Sequence, residues 1–271
     1  MRRASPPRPS LLAPGQISRP GPAPPRRGAS VPGGGVWLHG LHPVAAALAN
    51  PARRLRRLLL TEEAEAALAA RLPPPWRIAA ERAERGRFAT FLPEDAVHQG
   101  AALLADPLPP VPLDRALAHG DGPVLVLDQV TDPRNVGAIL RSAAAFHAAA
   151  LVLQDRHAPP ETGALARAAS GALEMVPVVR EVNLARALDA LKRAGLWVVG
   201  LDAAGPVTLA QVCQGLHGRR VALVLGAEGE GLRRLTRETC DELARLPIAP
   251  EVESLNVSAA AAVALYEIAR K

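Results

Sequence analysis

The second half of the sequence consists of short apolar segments separated by segments with helical patterning, from residue 123 to residue 271. Most of the apolar segments are nearly continuous, as expected of strands in a parallel sheet that is covered on both faces. We predict strands at 124–128, 150–154, 175–179, 197–201, 221–226 and 245–248. The helices predicted among them are 136–147, 162–170, 184–194, 232–240 and 256–270. This alternation predicts a doubly wound α/β fold.

A second set of alternating segments occupies residues 36–105 and predicts a small α/β domain. We predict strands at 36–40, 55–60, 76–80 and 96–105, and helices at 42–50 and 61–72. Thr61 is placed to cap the second helix, and glutamates in its first turn suit the helix dipole. Residues 106–122 begin with a proline-rich stretch and end in Gly-Asp-Gly, which predicts an interdomain linker with one helical turn.

The positive charge of the chain is concentrated at its N-terminus. Residues 1–33 contain six arginines, no acidic residue and nine of the 27 prolines, whereas the rest of the chain has 26 basic and 26 acidic residues. Such a segment cannot bury enough apolar surface to fold, so we predict a disordered tail. The tail could bind RNA phosphates, act as a transit peptide or be a solvated extension. Its prolines argue against the amphipathic helix of a transit peptide.

Cysteine content and hydropathy argue against a disulfide-rich protein and a membrane-spanning protein. The two cysteines, Cys213 and Cys240, cannot form a disulfide framework and lack the spacing of metal ligands. The sequence contains no apolar run of about 18 residues, so we predict no transmembrane helix. We therefore expect a cytoplasmic protein with no membrane partner and no metal site.

Three polar segments follow predicted strands, at the edge of the sheet where open parallel sheets bind ligands. The first, DQVTDPRNVGAILRS, contains Asn135, which could cap the next helix, and Arg141. The second is GAEGEG, which is neither a dinucleotide-binding pattern nor a P-loop. Its acidic residues, Glu228 and Glu230, would repel phosphate but suit a ligand with hydroxyls or positive charge, such as S-adenosylmethionine. The alternative is a tight turn with solvated glutamates.

The third polar segment, ESLNVS, is unusual because it carries three polar side chains at the start of one helix. Ser254, Asn256 and Ser258 alternate with apolar residues, although one N-cap is enough to begin a helix. We expect Ser254 or Asn256 to be the cap and Ser258 to form a hydrogen bond within the first turn. The remaining polar groups are then available for another purpose.

Together the segments NVGAILR (135–141), LGAEGEGL (225–232) and ESLNVSAAAA (253–262) resemble the three motifs of the SPOUT methyltransferases, in the SpoU/TrmH-like group. The resemblance extends over residues 123–271, and residues 36–105 resemble the small RNA-binding domain of the members that methylate ribosomal RNA. It implies a parallel sheet with a deep trefoil knot at 221–260, a homodimer, and methyl transfer from S-adenosylmethionine to a ribose 2′-hydroxyl in RNA.

The same resemblance implies which residues form the site. Catalytic positions match Asn135, Arg141, Glu228, Ser254 and Asn256. Cofactor-binding positions match Gly226, Leu246 and Leu255, and Gly200 and Leu201 could border the adenine. Arg141 matches an arginine assigned to the 2′-hydroxyl as a base. Because a guanidinium keeps its proton, gripping an RNA phosphate is the physically simpler role, and both roles stay open.

The substrate implied by the resemblance is RNA, most directly a guanosine of large-subunit ribosomal RNA. The alternatives are transfer RNA, or a non-catalytic RNA-binding protein with the same fold. Pro250, Glu251 and Glu253 replace the small residues that commonly precede the third motif, and these two carboxylates could alter substrate choice.

Overall fold

The computed structural model describes residues 34–270, and the predicted tail lies outside them. Residues 34–270 form two sheets, one of four strands and one of seven. Within the described range no helix is long and apolar enough to cross a bilayer.

The first sheet belongs to the N-terminal unit. Its elements are β1 (Val36–His39), α1 (Leu41–Ala49), β2 (Leu55–Leu60), α2 (Glu62–Arg71), β3 (Ala80–Arg82), α3 (Arg85–Phe88) and β4 (Ala101–Ala105). The strand order is β1-β4-β2-β3, with β4 antiparallel to both neighbours and β3 parallel to β2. Thr61 caps α2 as predicted, because its side chain accepts a hydrogen bond from the Ala64 amide at 3.2 Å. The predicted strand at 76–80 is wrong except at its last residue.

The segment between the two sheets packs against the second one. It contains the predicted helical turn, α4 (Leu113–Leu117). The amide of Leu108 donates to Glu161, and the amide of Val111 donates to the carbonyl of Val178, both at 3.0 Å. One buried hydrophobic cluster includes residues of both units, so their cores are continuous.

The second sheet is parallel throughout, as its apolar strands predict. Its strands are β5 (Val124–Leu127), β6 (Ala150–Gln154), β7 (Val178–Glu181), β8 (Trp197–Leu201), β9 (Val207–Thr208), β10 (Val221–Leu225) and β11 (Glu242–Arg245). Its helices are α5 (Pro133–Ala145), α6 (Gly163–Ala169), α7 (Leu184–Arg193), α8 (Leu209–Gly215), α9 (Arg234–Thr239) and α10 (Val257–Ala269). The strand order is β7-β6-β5-β10-β8-β11-β9.

Around the second sheet, two predicted strands are displaced, and one short strand and one short helix were not predicted. The strand predicted at 175–179 is β7, which begins after a 3₁₀ turn at Ala172–Glu174. The strand predicted at 245–248 is β11, which ends at Arg245. The bounds of β11 were predicted too late in the sequence because the strand carries Glu242 and Arg245 and is only partly buried. The apolar residues that suggested a strand follow it. The short β9 and α8 lie where no strand or helix was predicted.

The strand order requires the chain to cross β11. Ala244 of β11 pairs with Leu201 at the end of β8 and with Val207 at the start of β9. Residues 202–206 therefore pass over β11 at the level of Ala244. Gly205 permits this close passage, since a Cβ on it would lie 2.7 Å from the Ala244 carbonyl carbon. Arg245 holds the crossing segment by donating to the carbonyls of Gly205 and Pro206, both at 2.7 Å.

A buried arginine joins the two units. The Arg53 side chain is fully buried and forms ion pairs with Glu161, at 2.5 Å, and with Glu174. It also donates to the carbonyl of Asp106 at 2.9 Å. Burial lowers the pKa of Arg53, but the hydrogen bond to Glu174 and the two carboxylate charges outweigh it, so the pKa is raised overall. The charge is therefore held and fully paired across the interface between the units.

Replacing Glu174 with Gln should destabilise the protein, because it leaves the buried guanidinium with one carboxylate instead of two. We expect the free energy of unfolding to fall by about 3 kcal/mol, the lower end for breaking a buried ion pair. Arg57→Met is the matched control, since the Arg57–Glu81 pair has side chains 39% and 46% exposed and should be worth at most about 1 kcal/mol. Urea unfolding followed by tryptophan fluorescence measures both, and equal losses would contradict a special role for Arg53.

Candidate functional site

Three polar side chains from distant parts of the sequence meet at the carboxyl edge of the second sheet. Glu228 Oε1 accepts hydrogen bonds from Nδ2 of Asn135, at 3.0 Å, and from Nδ2 of Asn256, at 2.5 Å. Asn256 Nδ2 also donates to Oδ1 of Asn135, at 3.1 Å. The three side chains thus close a triangle of hydrogen bonds, here called the Asn-Glu-Asn triangle. The amide of Val257 lies 3.4 Å from the same Glu228 oxygen.

Asn135 reaches the triangle from the first turn of α5. The cap of that helix is Asp132, whose carboxylate accepts from the Arg134 amide at 2.9 Å, and Pro133 occupies the first helical turn. Proline is favoured there because its missing N–H would be unbonded anyway. The prediction that Asn135 caps the helix is therefore wrong, and its side chain is free to bond Glu228.

Asn256 reaches the triangle from the start of α10, which it caps. Its Oδ1 accepts from the Ser258 amide at 2.9 Å and from the Ser258 hydroxyl at 2.6 Å. The cap predicted to be Asn256 or Ser254 is thus Asn256, and Ser258 does form a hydrogen bond within the first turn. Because Oδ1 caps the helix, the Nδ2 group is left to bond Asn135 and Glu228.

Glu228 is carried by the glycine-rich segment 226–232, here called the Glu228 loop. A Cβ on Gly226 would lie 2.1 Å from the carbonyl carbon of Gly231, so only glycine allows the loop to fold back on itself. The Gly231 amide donates to the carbonyl of Ala227 at 3.0 Å. Gly231 has φ 67°, a left-handed conformation that glycine adopts without strain. The glycines therefore shape a tight turn that presents a carboxylate.

The other two predicted catalytic residues are outside the triangle. Arg141 is exposed on α5, and no residue in 34–270 accepts a hydrogen bond or ion pair from its guanidinium. Ser254 is exposed, two residues before the α10 cap, and its hydroxyl has no bonding partner in the same range. Both side chains are exposed to solvent.

Four of the five predicted cofactor-binding residues end or directly follow neighbouring strands. Gly200 and Leu201 end β8, Gly226 follows β10 and Leu246 follows β11, and these three strands are adjacent in the sheet. Leu255 precedes α10 and is 36% exposed. Gly200 also has a packing reason to be glycine, because a Cβ would lie 2.8 Å from side-chain atoms of Leu232 and Leu243.

Comparison with known proteins identifies the family. Residues 122–266 match the model of the SpoU rRNA Methylase family. The chain belongs to this family. It is 40% identical to the 23S rRNA (guanosine-2′-O-)-methyltransferase RlmB of Pseudomonas syringae, over 86% of this chain and 95% of the relative. The RlmB protein of Vibrio cholerae is 41% identical over 86% of this chain and 96% of its own.

Two solved methyltransferase structures superpose on most of the chain. AviRb from Streptomyces viridochromogenes, in complex with the cofactor AdoMet, superposes with a TM-score of 0.70 at 26% identity, covering 88% of this chain and 90% of its own. The AdoMet-bound rRNA methyltransferase from Sinorhizobium meliloti gives a TM-score of 0.68 at 26% identity, covering 87% of each chain. These matches include the N-terminal unit as well as the SpoU domain.

Two residues of the SpoU domain that support the site were missed from the sequence. Asp128, directly after β5, is fully buried and accepts hydrogen bonds from Nε of Arg233, at 2.6 Å, and from its amide, at 3.0 Å. The signal in the sequence was an acid ending a buried apolar strand, with arginines directly after the Glu228 loop. An ionised residue in such a position needs a partner.

The titratable groups near the site offer no metal centre. Within residues 34–270 no group of three His, Cys, Asp or Glu side chains is placed to hold a metal ion. Burial raises the pKa of Cys240 to about 12, so its thiol stays protonated and is neither a nucleophile nor a ligand at neutral pH.

Proposed function

We propose that the protein methylates the ribose 2′-hydroxyl of a guanosine in 23S ribosomal RNA, with S-adenosylmethionine as the methyl donor. The observation that carries the proposal is the Asn-Glu-Asn triangle at the carboxyl edge of a SpoU domain. In support, relatives about 40% identical over 86% of the chain are named as 23S rRNA guanosine-2′-O-methyltransferases.

The residues at the ends of β8, β10 and β11 fit the cofactor. Leu201, Leu246 and Leu255 are only partly buried, so apolar surface remains at the sheet edge for a flat adenine. Gly200 and Gly226 add backbone groups, which suit a neutral base better than charged side chains do. When bound, S-adenosylmethionine supplies a methyl group activated by its sulfonium. We assign the cofactor pocket to these five residues.

Glu228 is proposed to orient the 2′-hydroxyl. Its Oε1 accepts the bonds of the triangle, whereas Oε2 accepts no hydrogen bond from residues 34–270. A free carboxylate oxygen held in place is a good acceptor for a hydroxyl proton. Asn135 has one Nδ2 hydrogen left over for a ribose oxygen, while both hydrogens of Asn256 Nδ2 are used within the triangle. Ser254, with its exposed hydroxyl, is proposed to contact the RNA beside them.

Arg141 is proposed to hold an RNA phosphate. Its guanidinium is exposed and has no partner in the described part of the chain, so it can make the bidentate bonds that phosphate favours. To act as a general base, Arg141 would first have to be deprotonated, and a guanidinium does not lose its proton readily. The exposed, unpaired state therefore supports the phosphate role over the base role.

The finer features of the fold are part of the same proposal. The passage of 202–206 over β11 is the kind of crossing from which a deep knot in 221–260 can be built, and such knots are rare. Exposed Val263 and Tyr266 share a face of α10 and supply apolar surface for a homodimer. We assign RNA binding to 36–105, connection to 106–122 and catalysis to 123–271. A ribosomal substrate agrees with a cytoplasmic location.

A ribose-methylation map of ribosomal and transfer RNA from cells lacking the protein tests the proposal. We expect one guanosine of 23S rRNA to lose its 2′-O-methyl group and to regain it when the gene is restored. A methyl group lost from transfer RNA instead would establish the alternative substrate. An unchanged map of both RNAs, with no binding of S-adenosylmethionine by calorimetry, would establish a non-catalytic RNA-binding protein.

Arg141→Ala should abolish methylation and leave cofactor affinity nearly unchanged, because the side chain is proposed to contact RNA only. Calorimetry with S-adenosylmethionine and methyl transfer to a 23S rRNA fragment measure the two effects. Arg186→Ala, which removes an exposed arginine of α7, is the control and should retain activity. A large loss of cofactor binding in Arg141→Ala would contradict the assignment.

Glu228→Gln should lower kcat by about 100-fold or more, because an amide accepts the 2′-hydroxyl proton far less well than a carboxylate does. Glu230→Gln is the matched control, two residues along the same loop, and should behave like the wild type. The comparison uses kcat at saturating RNA and cofactor. Equal activity of the two variants would remove Glu228 from the proposed mechanism.

A further inference from the structure

Asp128 binds both ends of the Glu228 loop. At the entry, its amide donates to the carbonyl of Leu225, the last residue of β10, at 2.8 Å. At the exit, its carboxylate accepts from the amide of Arg233 at 3.0 Å and from the Arg233 Nε at 2.6 Å. One residue from the end of β5 therefore fixes where the loop leaves the sheet and where it returns to α9.

The Asp128–Arg233 ion pair carries a desolvation penalty that apolar packing would avoid. Asp128 is fully buried, whereas the Arg233 side chain is 40% exposed. A buried carboxylate loses its hydration, and a well-packed apolar pair is often as stabilising as a buried ion pair. The directional contacts, with each carboxylate oxygen receiving a different hydrogen of one residue, fix geometry better than apolar packing does. This points to a role in geometry rather than in stability alone.

The loop has little freedom to absorb a change at Arg233. Only seven residues lie between Leu225 and Arg233, and Gly226 is packed against the backbone of Gly231. The hydrogen bond from Gly231 to Ala227 closes the turn around Glu228. Movement of the loop exit therefore moves Glu228 Oε1, whose bonds to Asn135 and Asn256 are 3.0 and 2.5 Å long.

We propose that the Asp128–Arg233 pair positions Glu228 for the reaction, an inference that rests on the proposed function. Asp128 and Arg233 are positioning residues, because Glu228 Oε2 and the Asn135 amide, and not the pair itself, are assigned to the substrate. Asp128 also begins the segment that leads to Asn135, so one buried carboxylate sets the relative position of the two loops that meet in the triangle. A displacement of about 1 Å in such a site can cost about 100-fold in rate.

The test compares Arg233→Met, Arg233→Lys and Arg234→Met in the full chain. Arg233→Met should lower kcat by about 10- to 100-fold, while the KM for S-adenosylmethionine stays within about twofold. Arg233→Lys keeps the charge and the backbone bond to Asp128, so it should recover part of the rate. Arg234 is the next residue and forms an exposed pair with Glu238 at 3.1 Å, so Arg234→Met is the matched control and should keep the wild-type kcat.

Hydrogen–deuterium exchange without RNA or cofactor separates positioning from general destabilisation. We expect faster exchange confined to 226–233 in Arg233→Met and wild-type exchange in Arg234→Met. Wild-type kcat per folded molecule in Arg233→Met, or faster exchange spread over the whole sheet, would overturn the proposal. If the wild type transfers no methyl group to RNA, the proposed function fails. The exchange result still decides whether the pair holds the Glu228 loop.

Discussion

The placement of β10 between β5 and β8 is the constraint on which the site depends. The two neighbours of β10 in the sheet, β5 and β8, both come before it in the sequence. Since all these strands are parallel, the loop after β10 comes out beside the loop after β5. That neighbourhood lets Asp128 bond to Arg233 and lets Asn135 bond to Glu228. A different strand order would separate the same motifs by a strand or more, about 5 Å each.

The triangle concentrates polar groups where a buried sheet opens to solvent. Two amides and one carboxylate satisfy one another, so each is held in one orientation before any ligand binds. Preorganised donors and acceptors need no reorganisation during a reaction, and such electrostatic preorganisation is usually the largest single contribution to catalysis. Glu228 Oε2 accepts no hydrogen bond from residues 34–270, so it is available to a group outside the protein.

Much of this architecture could be predicted from the sequence. The apolar runs of β5, β8 and β10 follow from local patterns with known physical causes, and the same reasoning limits the α10 cap to Ser254 or Asn256. β11 was displaced because a partly buried strand such as ELAR lacks a continuous apolar pattern. Asn135 lies inside the helix and does not cap it, because Asp132 and Pro133 start α5 three residues before the helix that the apolar pattern predicts. The bond between Asn135 and Glu228 joins residues 93 apart, and no local pattern specifies such a contact.

Asn256 shows how fold and chemistry share one side chain. Its Oδ1 begins α10, and loss of such a cap costs about 0.5–2 kcal/mol. Its Nδ2 belongs to the triangle, so one residue fixes both where the last helix starts and where Glu228 is held. A shift of the helix along its axis would therefore break the bonds of Asn256 to Asn135 and Glu228. The crowding of polar residues in ESLNVS therefore accompanies a helix start whose cap also forms one corner of the Asn-Glu-Asn triangle.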